Sequence, residues 1–99
     1  MTSHPTHTRA VVDAGRKTMN SEVSMPEVRD VPGAILVSLS AEHGLLELNS
    51  LAGPLRVGDK INFTVGYGDL TVFLHDQLFG VRHGKIEVVW DILGRGNLT

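Results

Sequence analysis

Gln77-Leu-Phe-Gly-Val-Arg-His-Gly-Lys-Ile-Glu-Val-Val-Trp-Asp-Ile92 reads as two strands joined by a tight turn. Residues 77–82 and 85–92 are rich in β-branched and aromatic side chains, which favour a pleated, half-buried surface. His83-Gly84 separates them, and glycine supplies the positive φ that a two-residue hairpin needs. In the second strand Ile86, Val88, Trp90 and Ile92 fall on one face at a period of two. This hairpin predicts a fold dominated by antiparallel sheet.

Moving outward, residues 69–75 read as one or two helical turns, with Asp69 placed as an N-cap. Gly66 and Gly68 break the chain before it. Upstream, Ile61, Phe63 and Val65 alternate with Asn62 and Thr64, a strand pattern. Residues 49–59 form a turn-rich link containing Gly53-Pro54 and Gly58-Asp59. Ile35, Val37 and Leu39 alternate with Leu36 and Ser38, and Leu45–Leu48 follow Gly44 as a hairpin partner. Residues 20–34 read as a long loop. Arg9–Asp13 is a short β-like run ended by Ala14-Gly15, and residues 1–8 are polar and read as a disordered arm. The expectation is a mainly β domain over residues 9–99. It would be a small barrel or sandwich of five to six short strands with one short helix near residues 69–75.

Composition bounds the function. A chain of 99 residues, 41% hydrophobic and 20% charged, forms one core. Its radius of gyration should be roughly 13 Å. Net charge is −2, which argues against a nucleic-acid or membrane-surface partner. There is no cysteine, hence no disulfide or thiol chemistry. No apolar run approaches the ~20 residues that span a bilayer, and residues 1–8 lack a signal-peptide core. The expected location is the cytoplasm.

Three stretches carry candidate chemistry, each with a plainer alternative. Lys17 in Asp13-Ala-Gly-Arg-Lys17 is a candidate Schiff-base amine or a solvated lysine after a glycine turn. Glu42 and His43 in Ala41-Glu-His-Gly44 are a candidate acid–base pair or a structural turn. Neighbours on a strand point to opposite faces, which weakens the pair. Val65-Gly-Tyr-Gly-Asp-Leu-Thr-Val-Phe-Leu-His-Asp76 joins two glycines to a carboxylate at a helix start. Asp69 there is a candidate metal ligand or a simple cap. His4, His7, His75 and His83 have no zinc-ligand spacing, and no Gly-x-Gly-x-x-Gly, Walker or Gly-x-Ser-x-Gly motif is present.

The order of these motifs matters more than any one of them. Val12–Lys17, Ser40–Gly44, Leu55-Arg-Val-Gly-Asp-Lys60, Gly66–Thr71 and Phe79-Gly-Val-Arg-His-Gly-Lys85 followed by Trp90 form a series. Across residues 8–96 the chain resembles the C-terminal domain of the D-serine dehydratase and D-threonine aldolase family. The resemblance implies pyridoxal-phosphate enzymes of the alanine-racemase type. An N-terminal (β/α) barrel carries the cofactor and the Schiff-base lysine. A mostly β C-terminal domain covers the active site, commonly across a dimer. That domain supplies two ligands to a divalent metal such as zinc or manganese, through His-x-Cys or His-x-Asp followed by Pro-Thr. The metal activates the substrate β-hydroxyl for elimination or retro-aldol cleavage.

Carried over by position, Asp69 matches the second metal ligand and Thr71 the following threonine. Tyr67 stands where the family has histidine, and a phenol of pKa ~10 is a poor ligand at neutral pH. Leu70 replaces the proline and Phe73 an asparagine. Glu42, His43 and Gly44 match without an assigned role, and Lys17 matches a lysine other than the Schiff-base one. Any metal would rest on Asp69, with Tyr67 or His43 as weak helpers. A barrel needs about 250 residues, so none fits in this chain. The resemblance therefore implies a lyase domain inactive alone, completing a separate pyridoxal-phosphate barrel or assembling as a homo-oligomer. The competing readings are a non-catalytic ligand- or protein-interaction module, and a truncated remnant.

Overall fold

The computed structural model describes residues 1–97. Eight strands and one α-helix follow in order: β1 (Ser3–Thr6), β2 (Arg9–Val12), β3 (Glu27–Val28), β4 (Ala34–Leu39), β5 (Gly44–Leu48), β6 (Phe63–Thr64), α1 (Gly68–Val72), β7 (Gln77–Arg82) and β8 (Lys85–Asp91). They make three antiparallel sheets, ordered β1-β2-β5-β4, β3-β6 and β7-β8. The mainly β expectation holds. The barrel does not, because among the described residues no sheet closes on itself.

The core lies on one face of the four-stranded sheet. Ala10 pairs with Leu46, Leu46 with Leu36, and Leu48 with Ala34. These side chains line up across three strands, as directly opposed residues must. Leu46 is completely buried at the centre. Met1, Val12, Met19 and Ala52 complete the buried cluster, with Ile61 and Phe63 packed against it.

Three expectations need correction. Residues 1–8 are not a loose arm, since β1 pairs with β2 through Ser3↔Val11 and Thr6↔Arg9. Met1 is buried, and its ammonium donates to the Asp59 carbonyl at 2.6 Å. An edge strand needs backbone partners more than apolar side chains, so polar composition hid it. In β4 the buried face is Ala34 and Leu36, while Ile35 and Val37 point outward. A register slip between Leu36 and Ser38 inserts Val37 into the ladder and breaks the alternation. The run 61–65 pairs only at Phe63–Thr64, whose partner β3 lies inside the supposed loop 20–34.

The radius of gyration is 14.7 Å and the extents are 46 × 31 × 19 Å, longer than a compact domain of this length. In the β7–β8 hairpin every β8 residue is exposed. Its turn is as expected, with His83 at φ 49° and Gly84 at φ 74°.

Gly15 locks the sheet to the segment that follows it. The Arg16 and Lys17 amides donate to the carbonyls of Ser40 (2.8 Å) and Ala41 (3.0 Å). That approach leaves no room for a side chain. A Cβ on Gly15 would lie 2.5 Å from both the His43 nitrogen and the Ser40 oxygen, which are backbone atoms that cannot swing away. Gly15→Ala should therefore lower unfolding free energy by about 1–3 kcal/mol in a urea titration.

Candidate functional site

The clamp at Gly15 joins two motifs into one unit. Lys17 Nζ donates to Glu42 Oε1 at 2.7 Å, with both side chains well exposed. The Lys17 ammonium, through this hydrogen bond and its charge, holds the Glu42 carboxyl below the usual carboxylate range. His43 adds a smaller push in the same direction. No side-chain hydrogen bond joins Glu42 to His43 among the described residues. The Ser40 hydroxyl donates to the His43 carbonyl and accepts from the His43 amide, both at 3.2 Å, so the turn itself uses this backbone.

The second unit is built around α1. Its N-cap position is Tyr67, with no side-chain cap bond, so Asp69 lies in the first turn and is not the cap. The Tyr67 hydroxyl donates to Asp69 Oδ2 at 3.3 Å, a long and weak hydrogen bond on the surface. Thr71 points the other way. It is 7% exposed, donates to the Tyr67 carbonyl at 3.1 Å and accepts the Asn20 amide at 3.3 Å. Its hydroxyl is spent inside the fold and is not offered to a ligand. Gly66 sets the entry to this helix by packing on the Ser24 backbone, while the Ser24 hydroxyl donates to the Gly66 carbonyl at 3.0 Å.

Two adjoining clefts flank α1. One is lined by Lys17, Phe73, Leu74, Arg95 and Gly96, and the other by Asp69, Val72, Phe73, Ile92 and Arg95 among others. His43 lines a separate cleft with Ser40 and Leu45. Sequence reasoning passed over Arg95, whose guanidinium pairs with Asp76 at 2.8 Å and walls both clefts. The Gly94-Arg-Gly96 pattern was the available signal.

The residues present do not make a metal centre by themselves. Among the described residues no three His, Cys, Asp or Glu side chains lie together. Tyr67 makes a weak surface contact with Asp69, and Thr71 is turned inward. Lys17, paired on the surface with Glu42, offers no cradle for a carbonyl cofactor. No described helix is long and apolar enough to cross a membrane.

Comparison with known proteins decides the family. Residues 1–81 match the family described as "Putative serine dehydratase domain". The chain belongs to this family. The 3-hydroxy-D-aspartate aldolase of Paracoccus denitrificans is 38% identical to this chain, over 95% of this chain and 24% of that protein. The D-threonine aldolase of Arthrobacter sp is 32% identical over 95% of this chain and 25% of that protein. The crystal structure of D-threonine aldolase from Filomicrobium marinum superposes on it with a TM-score of 0.91 at 32% identity. That match covers 99% of this chain and 27% of the other. The chain thus spans about a quarter of the length of the relatives it matches, corresponding to their C-terminal part.

Three variants test this geometry. The depressed Glu42 carboxyl contributes stability that is present above the ordinary glutamate range and lost as pH falls through its lowered value. Lys17→Met should return Glu42 to the ordinary range in a carboxyl-carbon NMR titration, and added salt should narrow the difference. Thr71→Val leaves the Asn20 amide without its partner and should cost about 1–3 kcal/mol by urea unfolding. Asp69→Asn, on the surface, should stay within about 0.5 kcal/mol.

Proposed function

We propose that this chain is the β domain covering the active site of a pyridoxal-phosphate-dependent lyase of β-hydroxy-D-amino acids. It is inactive alone and works in the cytoplasm with a (β/α) barrel. The observation that carries this reading is the near-complete superposition on one quarter of a D-threonine aldolase. The barrel holds the cofactor, which supplies an electron sink for bonds broken at the substrate α-carbon. This chain contributes the surface formed by α1 and residues 92–97.

Within that surface Asp69 is the residue we assign to substrate. One carboxylate oxygen is in weak contact with the Tyr67 hydroxyl, leaving the other free to accept a hydrogen bond from a substrate hydroxyl. Arg95 and Lys17 line the adjoining cleft, each held in a surface ion pair, with Asp76 and Glu42 respectively. No metal enters this scheme, because the ligand set does not support one. A non-catalytic interaction module is the second reading, favoured by the same Tyr67–Asp69 pair in place of a two-ligand metal arm.

The test is complementation. The matching quarter of the Filomicrobium marinum D-threonine aldolase is replaced by this chain, and D-threonine cleavage is measured. Activity that falls at least about tenfold with Asp69→Asn, while the fold is kept, supports the role. A folded chimera without activity favours the interaction module.

A further inference from the structure

We propose that the β7–β8 hairpin is a docking element, buried on both faces when the domain joins the remaining three-quarters of a family enzyme. This rests on the reading above that the chain works with that remainder.

The hairpin is apolar on both sides and covered on neither. Leu78 opposes Trp90 and Gly80 opposes Val88, so Leu78, Val88 and Trp90 share one face. A register slip after Gly80 makes Val81 oppose Ile86, which moves Ile86 to the other face with Phe79 and Val89. The expectation that Ile86, Val88 and Trp90 align therefore fails at this bulge. The Trp90 ring lies over Gly80 and is still 53% exposed. Val81 and Ile86 are each 61% exposed.

Strands that carry apolar side chains on both faces belong to sheets covered on both faces. A lone two-stranded hairpin is marginal in water, and its outer edges leave backbone groups unpaired. The occupant must therefore wrap the hairpin rather than touch one side.

Two facts point to the rest of a family enzyme as that occupant. The superposition covers 99% of this chain, so the hairpin holds the pose it has in a D-threonine aldolase, about three-quarters of which lies outside the match. The pose is also fixed at its base. Arg95 bridges to Asp76 at 2.8 Å, the Ile92 amide donates to the Asp76 carbonyl at 2.9 Å, and the His75 ring donates from Nε2 to the Thr18 carbonyl at 2.8 Å. A projecting element preset by its base is ready to enter a site rather than to find one.

The experiment compares amide hydrogen exchange over residues 77–91 in the isolated 99-residue chain and in the aldolase chimera. Exchange should slow by about 100-fold or more in the chimera. Equal exchange in an active chimera overturns the docking inference and leaves the functional reading standing. Protection in an inactive chimera supports docking and removes the functional reading. Should the chimera fail to fold, the chain is labelled with 5-fluorotryptophan at Trp90, its only tryptophan, and mixed with the aldolase lacking its matching quarter. A shifted fluorine resonance supports the inference, and an unshifted one in a complex seen by sedimentation overturns it. A homodimer of the isolated chain that already protects residues 77–91 also overturns it, in favour of a second copy.

Discussion

The backbone contact between Gly15 and the turn at residues 40–43 organises the molecule. It is a contact between two main chains, so only hydrogen in place of a side chain permits it. It fixes the exit of β2 against the turn that joins β4 to β5. With β2 held there, Ala10, Leu36 and Leu46 pack as one row. The same contact brings Lys17 beside Glu42, residues that are 25 apart in sequence.

From that clamp the chain runs directly to the candidate site. Thr18 offers its carbonyl to His75, and Asn20 its amide to Thr71, so residues 18–20 carry α1. The position of Asp69 thus follows from Gly15 through a few hydrogen bonds, two of them made by the His75 and Thr71 side chains. Thr71 anchors the helix from inside and Asp69 is left on the surface. Of the two residues matched to the family's Asp-x-Thr pattern, one is structural and one is available to a ligand.

Much of this was legible from residue patterns, for identifiable reasons. The β4–β5 and β7–β8 hairpins carry turn residues at the right spacing, and the break at Gly66 and Gly68 marks the helix start. What stayed hidden depends on contacts distant in sequence. β1 is polar because an edge strand bonds mainly through its backbone. The buried side of β4 is set by a bulge, which alternation alone cannot register. Asp69 looks like a cap, but Tyr67 takes that position, two residues earlier, because the helix begins at Gly68. The pairing of Lys17 with Glu42 requires knowing that Gly15 meets the turn. The family resemblance, by contrast, was readable because it rests on the order of several motifs.

A folded four-stranded core, a surface carboxylate on a short helix and an unburied apolar hairpin together support the proposal that the chain works as one part of a larger enzyme. The core gives the part its shape, and the exposed features give it a reason to be joined to something else. The most direct test is to isolate the chain from its own cells with an antibody to it, then record the mass and visible spectrum of what is recovered. The account predicts a species that includes a barrel-sized portion, joined or bound, with the visible band of a pyridoxal-phosphate Schiff base. A colourless species no larger than this chain or its own oligomer would contradict it.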